Sequence, residues 1–169
     1  MSEIINRVSK SSIVTLNLEE IYPREPRLIF DIKPFLFQEL ILKEKDFRAA
    51  LKEVDWSLYE GKWVAINCSV DAILPNWAFL LVATYLNPIA RGVVIGGLDT
   101  LEEHISNFCI DSLNVEDFRD RPVVVKGCSD LPIPLYAYGQ VISLIQPVAK
   151  SIMYGEPCST VPLYKKPKD

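Results

Sequence analysis

The chain contains an internal duplication, and no other feature restricts its fold as strongly. Two segments about 60 residues apart share ten identical residues in the same order. The identical pairs are Val64 with Val124, Cys68 with Cys128 and Ser69 with Ser129 at an offset of 60, and then, after a one-residue gap, seven pairs at an offset of 59 that run from Asp71 with Asp130 to Gly96 with Gly155. A repeat of this length indicates that one supersecondary unit occurs twice.

Each copy predicts a strand, a helix and a second strand. The first strands are Trp63–Asn67 and residues 123–127, because these apolar runs are rich in β-branched residues and too short for a helix. A Ser/Asp/Pro segment follows, and then about a dozen residues with helical apolar periodicity. The second strands are residues 93–96 and 152–155. Each copy is therefore predicted to be a βαβ unit.

The two units are predicted to form one open, mainly parallel sheet in a three-layer α/β fold. A helix that begins at the capping pattern Thr100-Leu-Glu-Glu103 and continues to about residue 113 is expected to link them. We expect the first strands of the two copies to lie side by side, because their crossovers then leave in opposite directions. The strand order that follows is 2-1-3-4.

The N-terminal residues lie outside the duplication. Residues 13–18 and 27–32 flank the breaker Tyr-Pro-Arg-Glu-Pro and suggest a β-hairpin at one sheet edge, and residues 35–54 are predicted to be helical, with a break near Lys43. This part is expected to cover a sheet edge or to build a homodimer contact. The predicted organisation is a single domain over residues 1–169, with N-terminal edge elements (1–60), a first βαβ unit (61–97), a linking helix (98–120), a second βαβ unit (121–160) and a basic tail (161–169).

Composition and charge exclude several classes of partner. The 169 residues are 49% apolar, which is enough for one compact core without a disulfide scaffold. The net charge is -4 with acids and bases interspersed, so nucleic acid and anionic membranes are not expected partners. The N-terminal stretch lacks the apolar core of a signal peptide, and no apolar run is long enough to span a bilayer. These features predict a cytoplasmic protein whose cysteines are thiols.

Three cysteines are predicted to converge at the carboxyl edge of the sheet. Cys68 and Cys128 each follow a predicted central strand, where open α/β sheets bind ligands, and Cys158 follows the last strand. Asp71 and Asp130 are close to the first two thiols in sequence. Three thiolates with a carboxylate could hold zinc or an iron-sulfur cluster, so all five residues are candidate metal ligands.

Structural interpretations compete with this one. Cysteine also suits a tight strand-to-helix turn as a small buried residue, and an aspartate ahead of a helix is commonly its N-cap. Cys109, with Leu101, Ile105 and Phe108, falls on the apolar stripe of the linking helix and is predicted to lie in the core. His104 lies at the margin of that stripe and is predicted to be a solvated helix residue.

Several stretches of the sequence resemble those of a known protein family. The stretches that carry the resemblance are SEIINRVSKSSIVTLNLEEIYP, LILKEKDFRAALKEVDWSLYEGKWVAI, NCSVDAILPNWAFLL, VVVKGCSD and QPVAKSIMYGEPCSTVPLYKK. Together they are similar to a bacterial family catalogued as domain of unknown function twenty-four eighty, whose members are often encoded beside components of iron-sulfur cluster assembly. The resemblance implies no particular reaction, but it favours iron or sulfur handling by Cys68, Cys128 and Cys158.

Three hypotheses about function follow. The first is an accessory protein in iron-sulfur cluster assembly or metal homeostasis, which binds zinc, iron or a cluster through the cysteines and has iron-sulfur assembly proteins as partners. The second is a cysteine-dependent sulfur carrier or transferase, in which Cys128 or Cys68 accepts a persulfide or attacks an electrophile. The third is a non-catalytic binding or scaffold protein.

Overall fold

The computed structural model describes residues 12–126, 131, 133–156 and 158–167. In chain order, the strands of this part are β1 (Val14–Leu16), β2 (Arg27–Asp31), β3 (Trp63–Asn67), β4 (Gly92–Ile95), β5 (Pro122–Val125), β6 (Ser151–Glu156) and β7 (Ser159–Lys165). The α-helices are α1 (Leu18–Ile21), α2 (Glu44–Lys52), α3 (Asn76–Leu86), α4 (Leu98–Asp111) and α5 (Leu135–Ile145). None of these helices is long and apolar enough to cross a membrane.

The chain divides into two compact units with a sheet each. Unit 1 consists of the described residues of 1–23 and 105–169, and unit 2 consists of residues 24–104. The sheet of unit 1 has the order β1-β5-β6-β7, and that of unit 2 has the order β2-β3-β4. The α/β class and the predominance of parallel pairing are confirmed, because among the described strands of the two sheets only β7 pairs antiparallel with its neighbour.

Unit 2 is built around the central strand β3. Four of its five residues are fully buried, as expected for a strand with neighbours on both sides and side chains packed on both faces. Val64 and Ile66 face a core that receives Phe47 and Leu51 from α2 and Val82 from α3. The helix α3 connects β3 to the parallel strand β4.

Unit 1 repeats this arrangement with β5 at its centre. Val123 and Val125 face a core that also contains Val141 and Ile145 of α5 and Ile152 of β6. Strand β7 then returns antiparallel beside β6 and becomes an edge of the sheet. It occupies much of the segment that the sequence analysis assigned to a basic tail.

The duplication is visible in the backbone. Trp63 pairs with Gly92 in unit 2, and Pro122 pairs with Ser151 in unit 1, which places both strands of the second copy 59 residues after those of the first. The helices α3 and α5 differ by the same 59 residues. The offset of 60 assigned to the first strands is therefore wrong, since Val64 corresponds to Val123 in strand register.

The predicted single sheet and its order 2-1-3-4 are wrong. Strands β3 and β5 are not neighbours, because they belong to different sheets. The predicted N-terminal hairpin is also wrong, because β1 and β2 do not pair with each other. Strand β1 pairs in parallel with β5 and strand β2 pairs in parallel with β3, so each N-terminal strand completes the sheet of one copy.

Two helix boundaries also differ from the predictions. Of residues 35–54, Glu44–Lys52 form the α-helix, and the segment before Lys43 contains a short 3-10 helix at Lys33–Phe35 and a bridge between Phe37 and Ile41. The linking helix α4 begins at Leu98, two residues before the expected capping threonine. Both misplaced boundaries are helix ends, which local sequence patterns predict less accurately than helix interiors.

Candidate functional site

Cys68 directly follows the central strand β3 of unit 2, as predicted. It is partly buried and packs against the unit 2 core. The preceding residue, Asn67, has a side-chain oxygen Oδ1 that is buried and accepts no hydrogen bond within the described part of the chain. A thiol and an unsatisfied acceptor therefore lie on adjacent residues at the carboxyl end of this strand.

The backbone beside Cys68 is held by Asp31, the last residue of β2. The Ser69 hydroxyl donates to Asp31 Oδ2 at 2.6 Å, and the Ser69 amide donates to Asp31 Oδ1 at 3.0 Å. The Lys33 amide donates to the same Oδ1 at 3.0 Å. One carboxylate therefore fixes the chain immediately after Cys68 to the end of the neighbouring strand. These hydrogen bonds of Asp31 with Ser69 and Lys33 are called the Asp31 clamp below.

These hydrogen bonds also set the charge of Asp31. Burial is the largest single influence and raises the pKa of the Asp31 carboxyl. The hydrogen bonds from the Ser69 hydroxyl, the Lys33 amide and the Ser69 amide, together with the Lys33 charge, outweigh burial and bring this pKa below its ordinary value. Sequence analysis missed Asp31, although an aspartate that ends an apolar strand was a usable signal.

The remaining candidate ligands are spread over both units. Asp71 is exposed in the segment between β3 and α3 of unit 2. Cys158 is exposed in the turn between β6 and β7 of unit 1. Cys128 and Asp130 lie outside the described residues.

The strand pairing does not support the predicted convergence of the three thiols. That convergence required β3 and β5 to be neighbours in one sheet, and they are strands of different sheets. Among the residues that the structure describes, no group of three or more His, Cys, Asp or Glu side chains is placed to hold a metal ion. The ligand set that includes Cys128 and Asp130 stays a prediction.

The linking helix behaves largely as predicted. Cys109 is buried, with 4% of its surface exposed, and Leu101 and Ile105 are fully buried. His104 is exposed, and its ring meets that of Trp63 edge-on, with the centroids 6.0 Å apart. Phe108 is 49% exposed, so its assignment to the apolar stripe is wrong.

Comparison with known proteins identifies the family. A family model described as Protein of unknown function (DUF2480) matches residues 2–166, which is nearly the whole chain. The chain belongs to this family. Membership in DUF2480 accounts for the resemblance along the full sequence, from the N-terminal stretch to the motif around Cys158. No curated protein and no solved structure gives a significant match.

Proposed function

We propose that this DUF2480 protein is a cytoplasmic accessory factor in iron-sulfur cluster assembly or metal homeostasis, which holds zinc, iron or a cluster through its thiols. The observation that carries the proposal is Cys68, a partly buried thiol at the carboxyl end of a central parallel strand, beside the unsatisfied Asn67 oxygen. The Asp31 clamp supports it, because a metal ligand binds best when its backbone is already fixed. Cys128 and Cys158 are the further thiolates of the proposal, and Asp71 or Asp130 supplies an oxygen.

Metal analysis and absorption spectroscopy of anaerobically purified protein test this proposal. We expect a stoichiometric metal or cluster in the native protein and its loss in the Cys68→Ser, Cys128→Ser, Cys158→Ser triple variant. Cys109→Ala is the matched control, since it removes a thiol that is buried in α4 and leaves the proposed ligands intact. A native protein that takes up no metal under any reconstitution would contradict the proposal.

A sulfur carrier is the second candidate, with Cys128 or Cys68 as the acceptor predicted from the sequence. The exposure of Cys158 in a hairpin turn adds that thiol as a third possible acceptor and favours this candidate. A carrier needs one thiol that a partner can reach, whereas a metal site needs several that meet. In such a transfer, the cysteine thiolate attacks the outer sulfur of a donor persulfide, a new S–S bond forms, and the donor leaves as a thiolate. The product is a persulfide on this chain.

Alkylation kinetics separate the two candidates. One thiol that reacts much faster than the others supports a carrier, and uniform protection that a chelator relieves supports a metal site. Iron-sulfur assembly proteins are the proposed partners in both cases, and co-purification before and after removal of the thiols measures their binding. Normal function of the triple variant would favour the third candidate, a scaffold that assembles through its N-terminal segment.

A further inference from the structure

Unit 1 contains an apolar cavity of about 450 Å³ that the cysteine proposal does not use. It lies where α5 passes the carboxyl ends of β5 and β6. Its walls include Val125 of β5, Tyr138, Gly139 and Ile142 of α5, Tyr154 of β6 and Leu163 of β7. Small-molecule sites in proteins occupy about 300–1,000 Å³, so this volume is sufficient for a ligand.

A glycine inside a helix forms part of the cavity wall. Gly139 is the fifth residue of α5, and a Cβ built on it would meet no other atom within 4 Å. Helix-interior glycine is unfavourable relative to alanine, and a close approach of another element commonly explains it. Among the described residues nothing packs against Gly139, which is exposed, so a side chain at this position would extend into open space beside the cavity.

A bulge in the neighbouring hairpin supplies the opposite wall. The register of β7 against β6 shifts between Ile152, which pairs with Tyr164, and Met153, which pairs with Pro162. Leu163 is the extra residue and has no partner in β6, yet it lines the cavity. Bulges redirect side chains in this way and commonly occur beside binding sites.

The first copy of the duplication carries a side chain at the position of Gly139. At the offset of 59, Gly139 corresponds to Leu80 and Tyr154 corresponds to Ile95. The helix of unit 2 therefore carries a four-carbon side chain where the helix of unit 1 carries none. Leu80 is 56% exposed, so the two copies differ in whether a side chain projects from this exposed helix position.

The chemistry of the walls defines the occupant. The lining residues that the structure describes carry no charge, so an ionic ligand would lose its hydration without gaining a partner among them. The rings of Tyr138 and Tyr154 meet edge to face, with centroids 5.9 Å apart, and provide an aromatic wall. We propose that unit 1 binds a small, uncharged, mainly hydrocarbon molecule in this cavity, with an aromatic ring seated against Tyr138 and Tyr154.

Two fluorescent probes that differ by one charge test the proposal on the full chain. N-phenyl-1-naphthylamine is neutral, and 8-anilinonaphthalene-1-sulfonate has the same rings with a sulfonate. We expect saturable one-to-one binding of the neutral probe and affinity at least about tenfold lower for the charged one, a difference readily measured by titration. Equal binding of both probes, or no saturable binding, would overturn the proposal.

The variant Gly139→Leu introduces the residue of the first copy. It should lower the affinity for the neutral probe at least about tenfold. It should also raise Tm, because leucine is a better helix former than glycine and a Cβ at this position meets no atom within 4 Å. Gly139→Ala should also raise Tm but retain most of the binding, and Leu80→Ala in unit 2 should leave binding unchanged. Unaltered affinity in Gly139→Leu, or a change in self-association without a change in probe binding, would show that the cavity is not a ligand site.

Discussion

Gly61 and Asp120 lie 59 residues apart and adopt the same left-handed backbone conformation, with φ angles of 66° and 54°. The amide of Gly61 donates to the Ile89 carbonyl at 2.9 Å, and the amide of Asp120 donates to the Val148 carbonyl at 2.8 Å. The acceptors are also 59 residues apart. The duplication therefore preserves the turn that leads into the central strand of each unit, even where the residue that makes the turn has changed.

This relationship predicts the cost of substitutions at Gly61. Gly61→Ala should lower the free energy of unfolding by about 1–2 kcal/mol, because a Cβ is disfavoured in the left-handed region. Gly61→Asp should cost less, since aspartate tolerates this conformation and occupies it at position 120. Urea unfolding measures both.

Gly97→Ala is the matched control for Gly61→Ala. A Cβ at either position meets no atom within 4 Å, but only Gly61 has a left-handed φ angle. Equal losses at positions 61 and 97 would contradict the explanation from backbone conformation.

The Asp31 clamp predicts a loss of stability in acid. Because the pKa of Asp31 is lower in the folded protein than in the unfolded chain, its contribution is fully present above the unfolded value of about 3.9 and is lost as the pH falls through the folded value. Ser69→Ala removes the hydroxyl donor and should bring this pKa closer to normal, which reduces the loss. Measurement of the free energy of unfolding at a series of pH values, from pH 6 downward over about four pH units, tests this acid dependence.

Ser143→Ala controls for loss of a surface hydroxyl, since Ser143 donates to the Gly139 carbonyl within its own helix. It should leave the acid dependence unchanged. An identical acid dependence in Ser69→Ala and in the native protein would rule out the clamp as its source.

The ion pair between Arg27 and Glu102 should stabilise unit 2 more than an exposed pair does. Arg27 Nε lies 2.8 Å from Glu102 Oε1, and the two side chains are only 20% and 27% exposed. A double-mutant cycle with alanine should give a coupling of about 1 kcal/mol, near the upper end for such pairs. The exposed helical pair Arg48 and Glu44, at 2.9 Å, is the comparison and should give about 0.3–0.5 kcal/mol. Equal couplings would show that burial adds nothing at Arg27.

The thiols that the structure describes should differ in accessibility. Cys158 is exposed, Cys68 is intermediate and Cys109 is buried, so a thiol reagent should modify them in that order in the native protein. Cys109 should react only when unit 1 unfolds, since exposure of a core thiol requires opening of the structure. Mass spectrometry of peptides after timed labelling measures each rate. Early labelling of Cys109 would contradict its place in the core.

Sequence reasoning succeeded where the signal was local. Strand β3 has the predicted limits, Trp63–Asn67, because a run of consecutive apolar residues that ends at a polar one is typical of a buried strand. The burial of Cys109 follows in the same way from helical periodicity. The end of an apolar strand marked Asp31 as a candidate, but its pairing with Ser69 could not be predicted, because the two residues are 38 positions apart and meet only through strand pairing. The cavity beside Gly139 depends on the packing of four elements, α5, β5, β6 and β7, which local patterns do not predict.

By itself, the sequence determined that a βαβ unit occurs twice and which of its residues form strands and helices, since the periodicity of 2 or 3.6 is a property of neighbouring residues. Only the tertiary structure decided which strands pair. The first strand of a βαβ unit keeps a free edge of amides and carbonyls, and any other strand of the chain can satisfy it. Here β2 pairs with β3 and β1 pairs with β5, so that two sheets form and the two copies do not join in one. Backbone hydrogen-bonding groups are nearly the same in every residue, so they do not select a particular partner strand. The choice between these pairings is therefore made by long-range packing of side chains.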